Sequence, residues 1–217
     1  MLPYVPRLLG ASRKKLPDWG YHIYRTTYTT ESDTLFPQAI EYIEAAIKQD
    51  FENYGGWPSI YLQGPDVKRK ASAKYQSVIH DDREQFNNAS IPEIRAHFEA
   101  LVKSDGPEAN TSSPGKSVCI MIDEESLQTL KHKTVDCIKT DMQDDRETEA
   151  YSYVKVIQWR MVSAYDESDA EDEAEGFEGW MKCWTRALWN VWILLWNDDS
   201  LSGMYEDIDE SEGIYLV

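Results

Sequence analysis

Cysteine is scarce in this chain. Cys119, Cys137 and Cys183 are odd in number, far apart and without C-x-x-C spacing, among 217 residues. That excludes a disulfide framework and a cysteine zinc site, and it points to a reducing, intracellular setting, cytoplasmic or nuclear. Catalytic signatures are missing as well: there is no G-x-S-x-G, G-x-G-x-x-G, Walker loop or H-E-x-x-H. No metal and no cofactor is therefore expected. The opening MLPYVPRLLGASRKKLP has no apolar run of signal-peptide length, because Pro3, Pro6 and Arg7 interrupt it. Residues 180–196, rich in tryptophan, are too short and carry two charges, Lys182 and Arg186, so no membrane crossing is expected. Acidic segments on both sides speak against a membrane-surface helix too.

Basic residues are also in short supply, but only in the last third. Residues 1–140 hold 17 Lys and Arg against 19 Asp and Glu, whereas residues 141–217 hold 5 against 20, so -15 of the net -17 lies there. A near-neutral body with an acidic C-terminal region excludes general phosphate-backbone binding, and no nucleic-acid partner is expected. What the chain does have is apolar bulk, 41 % hydrophobic with eight tryptophans, enough to bury one core. The expected organisation is a flexible basic leader over 1–17, one domain over 18–197 and an acidic tail over 198–217. Within the domain, DESDAEDEAE at 166–175 has seven acidic side chains in ten and reads as a solvated loop.

Tyr21 to Tyr28 alternates and is rich in Tyr, Ile and Thr, which predicts a strand. Ser32, Asp33 and Pro37 mark a helix start, and Phe36, Ile40, Ile43, Ile47 and Phe51 recur at helical spacing until Gly55-Gly56. Residues 57–88 leave strand and helix open. Ser90-Ile-Pro-Glu93 matches a capping box, followed by a helix with Ile94, Phe98, Leu101 and Val102 on one face. The unbroken apolar run Val118 to Ile122 predicts a central strand covered on both sides. Asp123 is placed to cap a helix burying Leu127, Leu130 and Ile138, and Tyr151 to Val162 alternates as another strand. Trp180 to Trp196 reads as one helix, with Lys182, Arg186 and Asn190 forming a polar stripe on an apolar cylinder. Together these predict an α+β fold: a small mixed or antiparallel sheet with helices packed on it, in a ferredoxin-like arrangement.

Arg25 is the residue that asks for an explanation. It shares a strand face with Tyr21, Ile23 and Thr27, while His22, Tyr24, Thr26 and Tyr28 share the other. An unpaired buried guanidinium costs on the order of several kcal/mol, so Arg25 requires a carboxylate or an anionic ligand. A structural arginine stacks on a ring and pairs with an acid; a functional one contacts an anion in an aromatic cleft. Trp19, His22, Tyr24, Arg25, Tyr28, Trp57 and Trp159 are the candidate ligand-binding residues. His80, His97 and His132 are scattered and read as surface or satisfied side chains, and Cys119, inside an apolar strand, reads as an inert core thiol.

The opening W-G-Y-x-I-Y-R-T-T-Y at 19–28 with SDTLFPQAI after it, DREQF-x-x-ASI-x-EIR-x-HF at 82–98, I-x-I-DEESL at 120–127 and EGWMK at 178–182 resemble a group of uncharacterised fungal proteins. The resemblance implies a fungal, intracellular protein and assigns no activity. Three functions fit: an interaction protein whose acidic segments attract a basic partner, a small enzyme or carrier for an aromatic or anionic metabolite contacted by Arg25, and a homodimer subunit with the tryptophan segment as its seam.

Overall fold

A computed structural model describes residues 19–53, 65–104, 114–138, 151–159, 174–197, 199–208 and 213–216. Six strands form one mixed sheet: β1 His22–Arg25, β2 Val78–His80, β3 Val118–Ile122, β4 Tyr153–Gln158, β5 Trp180–Trp184 and β6 Ile214–Tyr215. Their spatial order is β2-β1-β3-β4-β5-β6. β1 pairs in parallel with both β2 and β3, β4 runs antiparallel to β3 and β5, and β6 lies parallel to β5. The fold is α+β, as expected. The opening βαβ unit is not split, however: β1 and β2 are direct neighbours, so the antiparallel insertion of a ferredoxin-like arrangement is not present between them.

α1 (Thr30–Asn53) starts seven residues ahead of Pro37, not at it. Thr29 and Ser32 supply the start signal instead: the Ser32 N–H donates to Thr29 Oγ1 at 3.0 Å and the Thr29 N–H to Ser32 Oγ at 2.7 Å. The helix buries Phe36, Ala39, Tyr42, Ile43, Ala46, Ile47 and Phe51. α2 (Pro65–Ser72) and the short α3 (Arg83–Phe86) flank β2, and α4 (Ile91–Ser104) begins where Glu93 accepts from both the N–H and the hydroxyl of Ser90. α5 (Pro114–Ser117) leads into β3, all five of whose residues are buried, as its position inside the sheet requires. Asp123 caps α6 (Glu124–Leu130) through the Ser126 N–H. That helix stops at Leu130, and Ile138 reaches the core from beyond it.

The tryptophan segment is where sequence periodicity misleads. Trp180–Trp184 is a strand paired with β4, a short helical turn spans Thr185–Ala187, and only Leu188–Trp196 forms a long helix, α7. In β5 Met181 and Cys183 point into the core with Val154 and Val156, an alternation of two that the apparent stripe of Lys182, Arg186 and Asn190 conceals. Beyond residue 197, α8 (Leu201–Glu206) and β6 are part of the domain: Leu201, Met204, Ile214 and Tyr215 are buried.

Two apolar clusters sandwich the sheet. The larger joins α1, α6 and α7 to the face carrying Tyr21, Ile23, Ile120 and Val156. The smaller packs Phe86 of α3 and Ile94, Phe98 and Val102 of α4 against Tyr24, Cys119, Met121 and Ile157. At the outer margin β2 presents Val78 and Ile79, 45 % and 38 % exposed, to solvent. Backbones meet closely at Gly20, where an added Cβ would lie 2.2 Å from the Gln76 carbonyl oxygen. Gly20→Ala must push apart the segments joined by the Gln76 N–H to Trp19 carbonyl bond, so a loss of about 2 kcal/mol or more is expected from urea unfolding. An unchanged midpoint would show that this approach is slack.

Candidate functional site

The carboxyl ends of parallel strands are where α/β folds place ligands, because side chains and helix starts converge there. Here β1 ends in Arg25, β2 in His80 followed by Asp81 and Asp82, and β3 in Ile122 followed by Asp123 and Glu124. Arg25 is only 6 % exposed. Its Nε donates to the Thr27 carbonyl at 2.8 Å and Nη2 to Ser32 Oγ at 3.0 Å and to Asp33, while Nη1 reaches Asp81 Oδ2 at 3.5 Å. The Tyr28 and Phe36 rings lie over its guanidinium at 4.5 and 5.0 Å. Arg83 shares Asp33 and also stands over Tyr28, whose ring is thus held by two guanidinium groups. The chain's own carboxylates answer the charge of Arg25, so an external anion would have to displace Asp33 or Asp81.

A second ionic cluster follows along the same edge. Thr27 donates to Glu124, Lys155 pairs with Asp123 and Glu125, and Lys182 pairs with Glu125 at 2.8 Å. Hydrogen bonding from Lys182 is the largest cause that draws Glu125 down to about 2. Burial works against the Asp123 carboxylate, but Lys155 and Ser126 hold it below the usual range. These bonds fasten β3, β4 and β5 to the start of α6, a structural task that explains the residues in full.

Of the residues named from sequence, Arg25 and Tyr28 are brought together. His22 and Tyr24 lie on the opposite face of β1, Trp19 is buried among Phe51, Tyr75, Trp189 and Trp192, and Trp159 packs beside the smaller core with its indole N–H on the Lys116 carbonyl. Trp57 lies outside the described residues. The residues that sequence reasoning passed over are His80 and His97. His22 Nδ1 faces His80 Nε2 at 2.9 Å, Tyr24 shares a 3.0 Å hydrogen bond with His97 Nδ1, and the His80 ring stacks on Tyr24 at 4.2 Å. Burial first, then His22 and His97, pull the proton affinity of His80 from 6.5 down to about 4. The periodicity of β1 put His22 and Tyr24 on one face; nothing local announces that β2 and α4 deliver two more imidazoles to it.

Among the described residues no group of three or more His, Cys, Asp and Glu side chains is arranged to hold a metal ion. No helix among them is long and apolar enough to cross a membrane. A cavity of about 290 Å3 opens at the margin of β5, lined in part by Glu178, Trp180, Lys182, Tyr205 and Ile208, and Arg25 is not part of its wall.

The molecule these observations define is an α+β domain with ion-paired strand ends, an imidazole cluster on one sheet face, and residues 199–208 and 213–216 packed at the β5 side of the sheet. No family model, curated protein or solved structure matches it.

Proposed function

We propose that this chain is an intracellular interaction protein that offers its acidic C-terminal region to a basic protein partner. The observation that carries the reading is the way residues 199–208 are folded. Leu201 and Met204 are committed to the core, which leaves Asp199, Glu206 and Asp207 exposed on a fixed element rather than on a free tail. Fixed like charges set up a field that steers an oppositely charged partner and weakens as salt rises. The ion pairing of Arg25 supports the same choice, since no free cation waits there for an anionic ligand. A homodimer seam through α7 has less to recommend it, because Trp189 and Trp192 are covered within the chain.

The test is an immobilised Lys/Arg-rich peptide, with binding followed by surface resonance at several salt concentrations. Replacing the seven acids of 166–175 by Asn and Gln is expected to weaken binding about tenfold and to flatten its salt dependence. Equal affinity before and after neutralisation would sink the proposal.

A further inference from the structure

We propose that His22 and His80, with His97 beside them, form an acid-released latch that holds the edge strand β2 on β1 at neutral pH and lets it come away on acidification. The contact geometry is the basis. The two facing nitrogens are 2.9 Å apart, the ring centroids 5.2 Å and the planes within 18° of each other, so the nitrogens lie nearly on the line that joins the rings. That is a straight N–H···N bond, in which one nitrogen carries the proton and the other offers its lone pair. The pair can share one proton across the contact. It cannot hold two: a first added proton can sit on an outward nitrogen and leave the bond in place, but once both rings are imidazolium two N–H groups face each other and the contact opens.

The surroundings make added charge costly. On β1 the ring neighbours are His22 and Tyr24; on α3, Phe86; on α4, His97 at 5.8 Å and, beside His22, Phe98. Cys119 of β3 lies near Tyr24 and stays a thiol, since burial pushes it up. Among the described residues, the carboxylates on the flanking elements have partners of their own: Asp81 with Arg25, Asp82 at the start of α3, Glu93 with Ser90, Glu99 with Lys103. Arg95 turns to the carbonyls of Gln158 and Glu178. Stacking on Tyr24 favours an imidazolium, but burial and two further imidazoles oppose it more strongly. A histidine whose proton affinity falls on folding adds stability that is whole above 6.5 and withdrawn as pH drops towards 4.

What lets go is set by the topology. β2 is three residues long, pairs among the described residues with β1 alone, and shows Val78 and Ile79 to water, so little else among them retains it. The test is amide hydrogen exchange on the whole protein at pH 7 and pH 5, corrected for intrinsic rates. Amides of β2, such as that of Val78 bonded to the Tyr21 carbonyl, are expected to lose protection on the order of tenfold more than those of β3 and β4. His80→Phe, which keeps a ring on Tyr24 and cannot titrate, abolishes that excess. His22→Gln, which can still bond His80 but carries no charge, reduces it and serves if His80→Phe does not fold. Equal losses in β2 and in β3–β4, or the full excess persisting in the variants, would overturn the proposal.

Discussion

Arg186→Ala is expected to lower folding stability by about 3–5 kcal/mol, the usual result of stranding one half of a buried ion pair. The Arg186 side chain is 2 % exposed; its Nη2 binds Asp50 at 2.5 Å, and its Nη1 donates to the Ile138 carbonyl at 2.8 Å. It thereby ties the C-terminal part of α1 to the turn that precedes α7. Burial already pushes Asp50 up to about 6, with Arg186 pulling the other way. Without the arginine the carboxyl rises further, and a folded acid above its ordinary value loses stability as pH climbs through that window. Urea unfolding of the variant should therefore show a larger deficit at pH 8 than at pH 5. Removing both partners in Arg186→Met with Asp50→Leu is expected to recover most of the loss, since a packed apolar pair replaces two desolvated charges. A deficit in Arg186→Ala below about 1 kcal/mol would mean that water or another group already serves Asp50.

Trp192→Ala should cost a similar 3–5 kcal/mol, by a different route. Its ring is 1 % exposed and meets Trp19 at 5.2 Å and Tyr21 edge-on at 5.0 Å. Gly115 backs the same ring, since a Cβ there would come within 3.2 Å of it. Rigid backbone on one side and aromatic rings on the other leave little to collapse into the space, so most of the cavity stays open and the penalty is near the top of its range. Thermal unfolding would report it; Trp192→Phe, which fills part of the volume, should lose roughly half as much. Equal melting temperatures for native protein and Trp192→Ala would refute the packing described.

What could be read from sequence follows a physical line. β1, α1, β3 and α4 are legible because burial is written into their sequence: Ile23 beside Arg25 on an alternating strand, Phe36 to Phe51 at helical spacing, and in Val118 to Ile122 an unbroken run that is covered on both faces. β2 was not, since an exposed edge strand has no buried face to write into its pattern. β5 was misread because WMKCW is apolar on both periods, and pairing with β4, not local preference, decides between them. The same distinction separates the parts of the site. That Arg25 needs an acid follows from burying a guanidinium; that Asp33 and Asp81 provide it follows only from the fold. His80 and His97 stand 58 and 73 residues from the side chains they meet, a separation that no local spacing encodes.

The bare outer margin of β2 has a bearing on how the protein behaves when concentrated. A strand with Val78 and Ile79 outward, and among the described residues no neighbour on its far side, is a template for a second molecule's strand. At neutral pH mutual repulsion between molecules of net charge -17 keeps such margins from meeting. Acid removes that repulsion as it neutralises the carboxylates, so clumping in mildly acidic solution is a property inherited from the sheet's unguarded rim.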